Sequence, residues 1–268
     1  MRLDKDTTFL FHDIDRHGVQ KNYPSGMLVN DFTLMMRIKP DLKEINKVIK
    51  RRRQNPDSHK HYSIPGTVYH KQCIFGKNGK HTGLFFATFL DEKQNLVHSI
   101  EYEWWQNPNW EINQNEEEDE MKAVKIFIER TPDRYFDVIV KKYDNKFSLT
   151  VDGVTESLEY NNVIDYSQAL MWLGAANRLL DDTEFYDEGF TCLFTGDVTL
   201  LHMQEAPLED DTIKLFFKNY DDFKKLGFKT QEDVVYISTN FAEVTSFKVR
   251  DYSGNGLHPL VYSKEWIG

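Results

Sequence analysis

The chain has 268 residues, of which 40% are hydrophobic, 14% aromatic and 28% charged. That balance excludes a disordered chain and leaves enough apolar surface for a sizeable core. With 33 Lys and Arg against 43 Asp and Glu, the net charge is −10, which works against non-specific contact with phosphate backbones or anionic membranes.

No apolar run approaches the roughly 18 residues a membrane helix needs. The start, Met1-Arg2-Leu3-Asp4-Lys5-Asp6, carries neither an apolar signal core nor a small-residue cleavage site. The expectation is synthesis in a cytoplasm without a signal peptide, with display outside a cell only as part of a virion or another particle.

Strand-like runs begin at Thr7–His12 and Phe32–Ile38. Between the second of these and the next strand, Leu42, Ile45, Val48 and Ile49 recur at helical spacing, predicting a short surface helix over Leu42–Arg53. Its end, Lys50-Arg51-Arg52-Arg53, complements the helix dipole, or meets an acidic neighbouring subunit. With the polar loop that follows, it forms an insertion near 41–64.

Val68–Phe75, Gly83–Phe89 and Leu96–Trp105 read as further strands, rich in β-branched and aromatic residues. Asn107–Glu120 ends in Glu116-Glu117-Glu118-Asp119-Glu120; like-charge runs of this kind are solvated, so 107–120 reads as a second insertion. Lys122–Glu129, Tyr135–Lys141, Lys146–Val151 and Val154–Leu158 follow, joined at Asp144-Asn145 and Asp152-Gly153. Those pairs tolerate positive φ, the requirement of a two-residue hairpin.

The last runs are Ala169–Leu173, Phe190–Phe194 and Asp197–His202. Many short strands without alternating helices predict an all-β fold, an antiparallel two-sheet β-sandwich with a short helical insertion. No repeat or linker divides it, so 1–268 reads as a single domain.

Chemistry concentrates in Glu101-Tyr102-Glu103-Trp104-Trp105. On a strand Glu101, Glu103 and Trp105 share one face, since side chains alternate. Carboxylates that accept hydroxyl protons beside an indole that stacks on a ring suit a sugar, and Trp104 and Trp110 add aromatic surface. The alternative is a half-exposed strand with an aromatic core face.

Cys73 and Cys192 each lie in an apolar run without metal-ligand spacing; they read as buried thiols or as one bridge. His12, His17, His59, His61, His70 and His81 have no metal-binding spacing. The acidic loop Asn177–Gly189 reads as solvated surface. No nucleophile triad, phosphate loop or dinucleotide glycine motif is present.

Several segments together resemble the laminin-G-like, concanavalin A-like jelly rolls. They are Phe32-Thr33-Leu34-Met35-Met36-Arg37-Ile38-Lys39-Pro40, Cys73-Ile74-Phe75-Gly76-Lys77, Gly83-Leu84-Phe85-Phe86, the hairpin region Tyr135–Gly153, Leu173-Gly174-Ala175-Ala176-Asn177 and Phe194-Thr195-Gly196-Asp197-Val198. Pro207–Ile213 resembles the short helix that follows the last strand. Asp251-Tyr252-Ser253-Gly254-Asn255-Gly256-Leu257-His258 resembles a segment such domains carry near their start, which implies a permuted order or a trailing strand.

The resemblance implies a jelly roll that binds a ligand on one sheet or its edge loops, with calcium as the usual cofactor. Asp251 and Asn255, together with Asp197, match the positions that would hold it; the alternative is that these residues make tight turns without a metal. Glucanases of this superfamily carry an acidic triplet alternating along one strand; here Trp105 takes the third place, which disfavours hydrolysis. The expected function is non-catalytic recognition of a surface glycan, displayed on a particle or cell surface. The alternatives are a purely structural component of a virion or other assembly and, in the minority, a glycoside hydrolase.

Overall fold

The computed structural model describes residues 2–3, 8–11, 13–14, 20–21, 31–54, 68–77, 82–93, 95–106, 120–128, 133–160, 163, 171–174, 177–178, 190–191, 193–219, 235–241, 252 and 260–262. Along these run β1 (Arg2–Leu3), β2 (Thr8–Phe11), β3 (Asp13–Ile14), β4 (Gln20–Lys21), β5 (Phe32–Pro40) and α1 (Leu42–Gln54). Next come β6 (Val68–Lys77), β7 (Gly83–Leu90), β8 (Leu96–Gln106), β9 (Glu120–Ile128), β10 (Phe136–Tyr143), β11 (Lys146–Val151) and β12 (Val154–Glu159). The last are β13 (Met171–Leu173), β14 (Asn177–Arg178), β15 (Phe190–Thr191), β16 (Gly196–Gln204), α2 (Asp210–Lys218), β17 (Val235–Asn240) and β18 (Leu260–Tyr262).

Two seven-stranded antiparallel sheets form the body. Sheet one has the order β1-β16-β5-β10-β11-β12, with β17 also on β16; sheet two has the order β18-β2-β13-β6-β7-β8-β9. The all-β antiparallel sandwich expected from the sequence is the fold observed. Strand β18 pairs with β2 and so ties Leu260–Tyr262 to Thr8–Leu10. Apart from Tyr252, the segment Asp251–His258 lies outside the described residues.

The hairpins follow from turn chemistry. Asp144 and Asn145 have φ of 51° and 57°, and Asp152 and Gly153 have φ of 49° and 86°. The flanking pairs Tyr143–Lys146 and Val151–Val154 close two-residue loops. Positive φ at both loop positions gives the turn whose twist matches that of the strands.

Alternation then fixes the layers. Phe136, Val138 and Val140 of β10 and Phe147, Leu149 and Val151 of β11 point into the core, where they meet Ile100, Tyr102 and Trp104 of β8 and Val124 and Ile126 of β9. The rings of Trp104 and Phe147 lie 4.3 Å apart, and those of Phe32 and Tyr102 6.1 Å apart. Each fully buried large side chain contributes about 1.5–3 kcal/mol.

Both helices cover apolar surface. Asp41 caps α1, its Oδ1 accepting from the backbone N–H of Lys43 and of Glu44 at 2.9 and 3.2 Å. Ile45 and Ile49 sink into the main core, so α1 is an integral part of the sandwich and not only a surface insertion. Helix α2 lies on the outer face of sheet one, where Ile213 and Phe216 pack with Met35 and Leu200.

Candidate functional site

The outer face of sheet two carries the acidic pair. In register, Glu101 lies between Phe85 of β7 and Lys125 of β9, Glu103 lies between Gly83 and Ala123, and Trp105 faces Met121. The alternation read from the sequence thus holds: Glu101, Glu103 and Trp105 share one face.

Trp104 requires a correction. It is 0% exposed between the sheets, and its ring is packed on Phe147. An indole held there offers no face to a ligand. Its neighbour Trp105 is only half-buried. Trp110 lies outside the described residues.

Glu101 and Glu103 are 4% and 2% exposed, well below what a strand on an open sheet face would show. Each has a lysine. Lys71 of β6 stretches across the Phe85 ring, its Nζ 4.6 Å from the centroid, and pairs with Glu103 Oε1. Lys125 Nζ stands 3.7 Å from Glu101 Oε2.

Small neighbours leave room for this arrangement. A Cβ on Gly83 would fall 2.5 Å from Gly76 Cα, so β6 and β7 approach closely only because both positions are glycine. Burial pushes the Glu103 carboxyl above the ordinary carboxylate range; Lys71 pulls it back down and Glu101 adds to the rise. Buried carboxylates are tolerated when paired.

Two oxygen atoms of β8 are buried on this face without partners among the described residues, Glu103 Oε2 and Ser99 Oγ. Buried polar atoms are nearly always hydrogen-bonded, so these two are the groups on the face that most need a donor. The sequence flagged Glu103 but not Ser99; its place two residues before Glu101 on the same strand face was the available signal.

The remaining candidates are scattered. Asp197 pairs in register with Lys39, on β16 and β5 of the opposite sheet; Asp251 and Asn255 lie outside the described residues. Among the described residues no group of three or more His, Cys, Asp and Glu could hold a metal ion. Cys73 is fully buried against Phe85, while Cys192 lies outside the described residues. Of the six histidines singled out, only His70 is in a described strand, β6. Neither helix among the described residues is long and apolar enough to cross a membrane.

No protein-family model and no curated protein matches the chain. Solved structures do. A Bacteroides ovatus protein proposed to bind carbohydrate aligns over 98% of this chain and 59% of its own length, at 7% identity and a TM-score of 0.46. The enzymatically active domain of tailspike protein 2 from bacteriophage CBA120 aligns over 74% of this chain and 25% of its own length, at 7% identity and 0.40. Domains LG4-5 of the mouse laminin alpha1 chain align over 78% and 43%, at 8% identity and 0.36. The chain therefore spans less than two thirds of each of these proteins.

Proposed function

We propose that the chain is a non-catalytic carbohydrate-recognition module whose ligand lies on the outer face of sheet two. The observation that carries the reading is the half-buried indole of Trp105 at the end of the strand face that also holds Glu101, Glu103 and their lysines. The apolar face of a pyranose ring stacks on tryptophan, while its hydroxyls accept from the part-exposed ammonium groups of Lys71 and Lys125 on the same face. The Lys71–Glu103 and Lys125–Glu101 pairs hold these donors in place, so little ordering remains to be done on binding.

The same geometry argues against turnover. Hydrolysis of a glycoside needs two carboxyl groups, one to protonate the leaving oxygen and one to attack or activate water. Here both carboxylates are tied to lysines, and the third acidic place on the face is taken by Trp105. A polysaccharide panel incubated with the protein should release no reducing sugar; release that Glu103→Gln abolishes contradicts the reading.

A structural role in a particle or other assembly is the second reading. It is favoured by two neighbouring edge strands, β9 and β12, which expose Met121, Phe127, Val154 and Leu158. Open edges with apolar side chains pair readily with another chain. A monodisperse monomer at high micromolar concentration speaks against self-assembly through this edge. Binding in a glycan array, lost in Trp105→Ala, supports recognition.

A further inference from the structure

The last strand of sheet one is uncovered. All six residues of β12 are exposed, and among the described residues β12 pairs only with β11. Val151 and Val154 flank the two-residue loop Asp152-Gly153, and the pair that flanks such a loop exchanges both backbone hydrogen bonds. Along an antiparallel ladder, bonded and non-bonded pairs then alternate. Val154, Glu156 and Leu158 therefore turn their N–H and C=O groups toward β11. The far end of the hairpin has the same phase, because the backbone N–H of Tyr160 donates to the Asn145 carbonyl at 3.0 Å.

The backbone groups of Thr155, Ser157 and Glu159 consequently point to the open side. Side chains follow the same alternation. Val154, Glu156 and Leu158 lie opposite Val151, Leu149 and Phe147, which face the core. Val154 and Leu158 are nevertheless 58% and 40% exposed, so the inner face of β12 overhangs the core. The strand has no proline or lysine, and its register with β11 runs from Val154 to Glu159 without a bulge. Of the devices that blunt a sheet edge, it carries only the charges of Glu156 and Glu159.

We propose that β12 is a homodimer interface, in which two copies of the chain add edge to edge, antiparallel, about a two-fold axis at Ser157. The inference deepens the assembly reading of the β9 and β12 edges and is independent of the sugar reading. Hydrogen-bond phase selects the register, since only Thr155, Ser157 and Glu159 present backbone groups to a new strand. An axis at Ser157 pairs all of them: Ser157 with the partner's Ser157, and Thr155 with the partner's Glu159. On the inner face Glu156 then lies opposite the partner's Leu158, and Val154 opposite the partner's Tyr160. No two glutamates are directly opposed, an arrangement that would be destabilising. Moving the axis one residue, to Glu156, would set that residue against the partner's Glu156, and moving it toward either end leaves edge groups unpaired. Such an interface is isologous and closes at two copies. What opposes it is the diagonal approach of Glu156 to the partner's Glu156 and the net charge of −10 on each copy, both screened by salt.

The test is sedimentation equilibrium of the full chain up to high micromolar concentration, alongside four variants. The parent should show a monomer–dimer equilibrium that tightens as salt is raised. Ser157→Pro removes an outward N–H and no bond to β11, so it should weaken dimerisation about tenfold or more with a nearly unchanged melting temperature. Glu156→Gln should strengthen dimerisation. Ser157→Cys should give a disulfide-linked dimer in oxidised glutathione, because Cα atoms of a bonded pair lie about 5.5 Å apart, within disulfide reach. Thr155→Cys, placed opposite the partner's Glu159, should not. A parent that stays monomeric refutes both this interface and assembly through the edge. A dimer that withstands Ser157→Pro, with no more cross-linking in Ser157→Cys than in the parent, refutes this interface and leaves assembly to β9. Equal cross-linking through Thr155→Cys and Ser157→Cys refutes the register.

Discussion

The outer faces of the two sheets use the same chemistry in opposite environments. On sheet two the carboxylates are sunk: Glu101 and Glu103 are almost wholly covered and held by the more exposed Lys125 and Lys71. On sheet one, α2 covers Met35 and Leu200 but leaves the neighbouring Arg37–Asp137 and Arg134–Asp152 pairs part-exposed around a cleft. Ion pairs of similar geometry therefore do different things. A sunken carboxylate is a stability liability once its partner is removed, whereas a part-exposed pair contributes little to folding.

Substitutions can break this comparison. The largest effect belongs to the core beneath sheet two: Trp104→Ala should cost about 3–5 kcal/mol, read by denaturant unfolding. Trp105→Ala, one residue on and half-buried, should cost about 1–2 kcal/mol. Equal costs would mean that both indoles are core.

Acid should act on both regions, through one histidine in each. His98 is stacked on Phe86 at 5.4 Å in the main core, and His202 lies against Phe216 of α2 at 4.7 Å. Burial lowers each to about 4. The unfolded chain takes up protons near pH 6.5 while the folded chain holds these rings neutral. Stability present above pH 6.5 is therefore lost as pH falls through the window from 6.5 to about 4. His202→Leu should flatten part of that acid limb in a pH series of melts; an unchanged limb refutes the assignment.

The ion pairs give the finest test. Lys71→Ala strands Glu103 in its buried position, 2% exposed, and should cost about 2 kcal/mol, a value tempered by the partial exposure of Lys71. Arg134→Ala, at a pair whose arginine is half exposed, should cost under about 1 kcal/mol. A reversed order would show that the two faces are not environmentally distinct.

What the sequence disclosed follows the same division. Hairpins at Asp144-Asn145 and Asp152-Gly153 were legible because their signal is local, and so was α1, whose apolar residues repeat within one element. The shared face of Glu101, Glu103 and Trp105 was legible from alternation alone. The same alternation sets Trp104 on the opposite face with Ile100 and Tyr102, so its core position was legible as well, although it was counted among the ligand residues. The burial of Glu101 and Glu103 was not legible, because it depends on what lies over the strand, not on the strand.

The cleft on sheet one was invisible for a different reason. Arg37 and Asp137 are 100 residues apart and meet only through the β5–β10 register, while Thr199 on the same cleft is aimed by the β16–β5 bulge between Val198 and Leu200, which no local pattern announces. Strands β17 and β18 also escaped notice, being short runs within polar chain. Their pairing partners, β16 and β2, are what make them strands.

The central claim is recognition of a glycan by the face that carries Ser99, Glu103 and Trp105. A glycan array probed with the parent protein and with Trp105→Ala, each shown folded by its melting curve, addresses it directly. The parent should bind at least one glycan and Trp105→Ala should lose that binding while remaining folded. No binding by the parent, or equal binding by the folded variant, would contradict the claim.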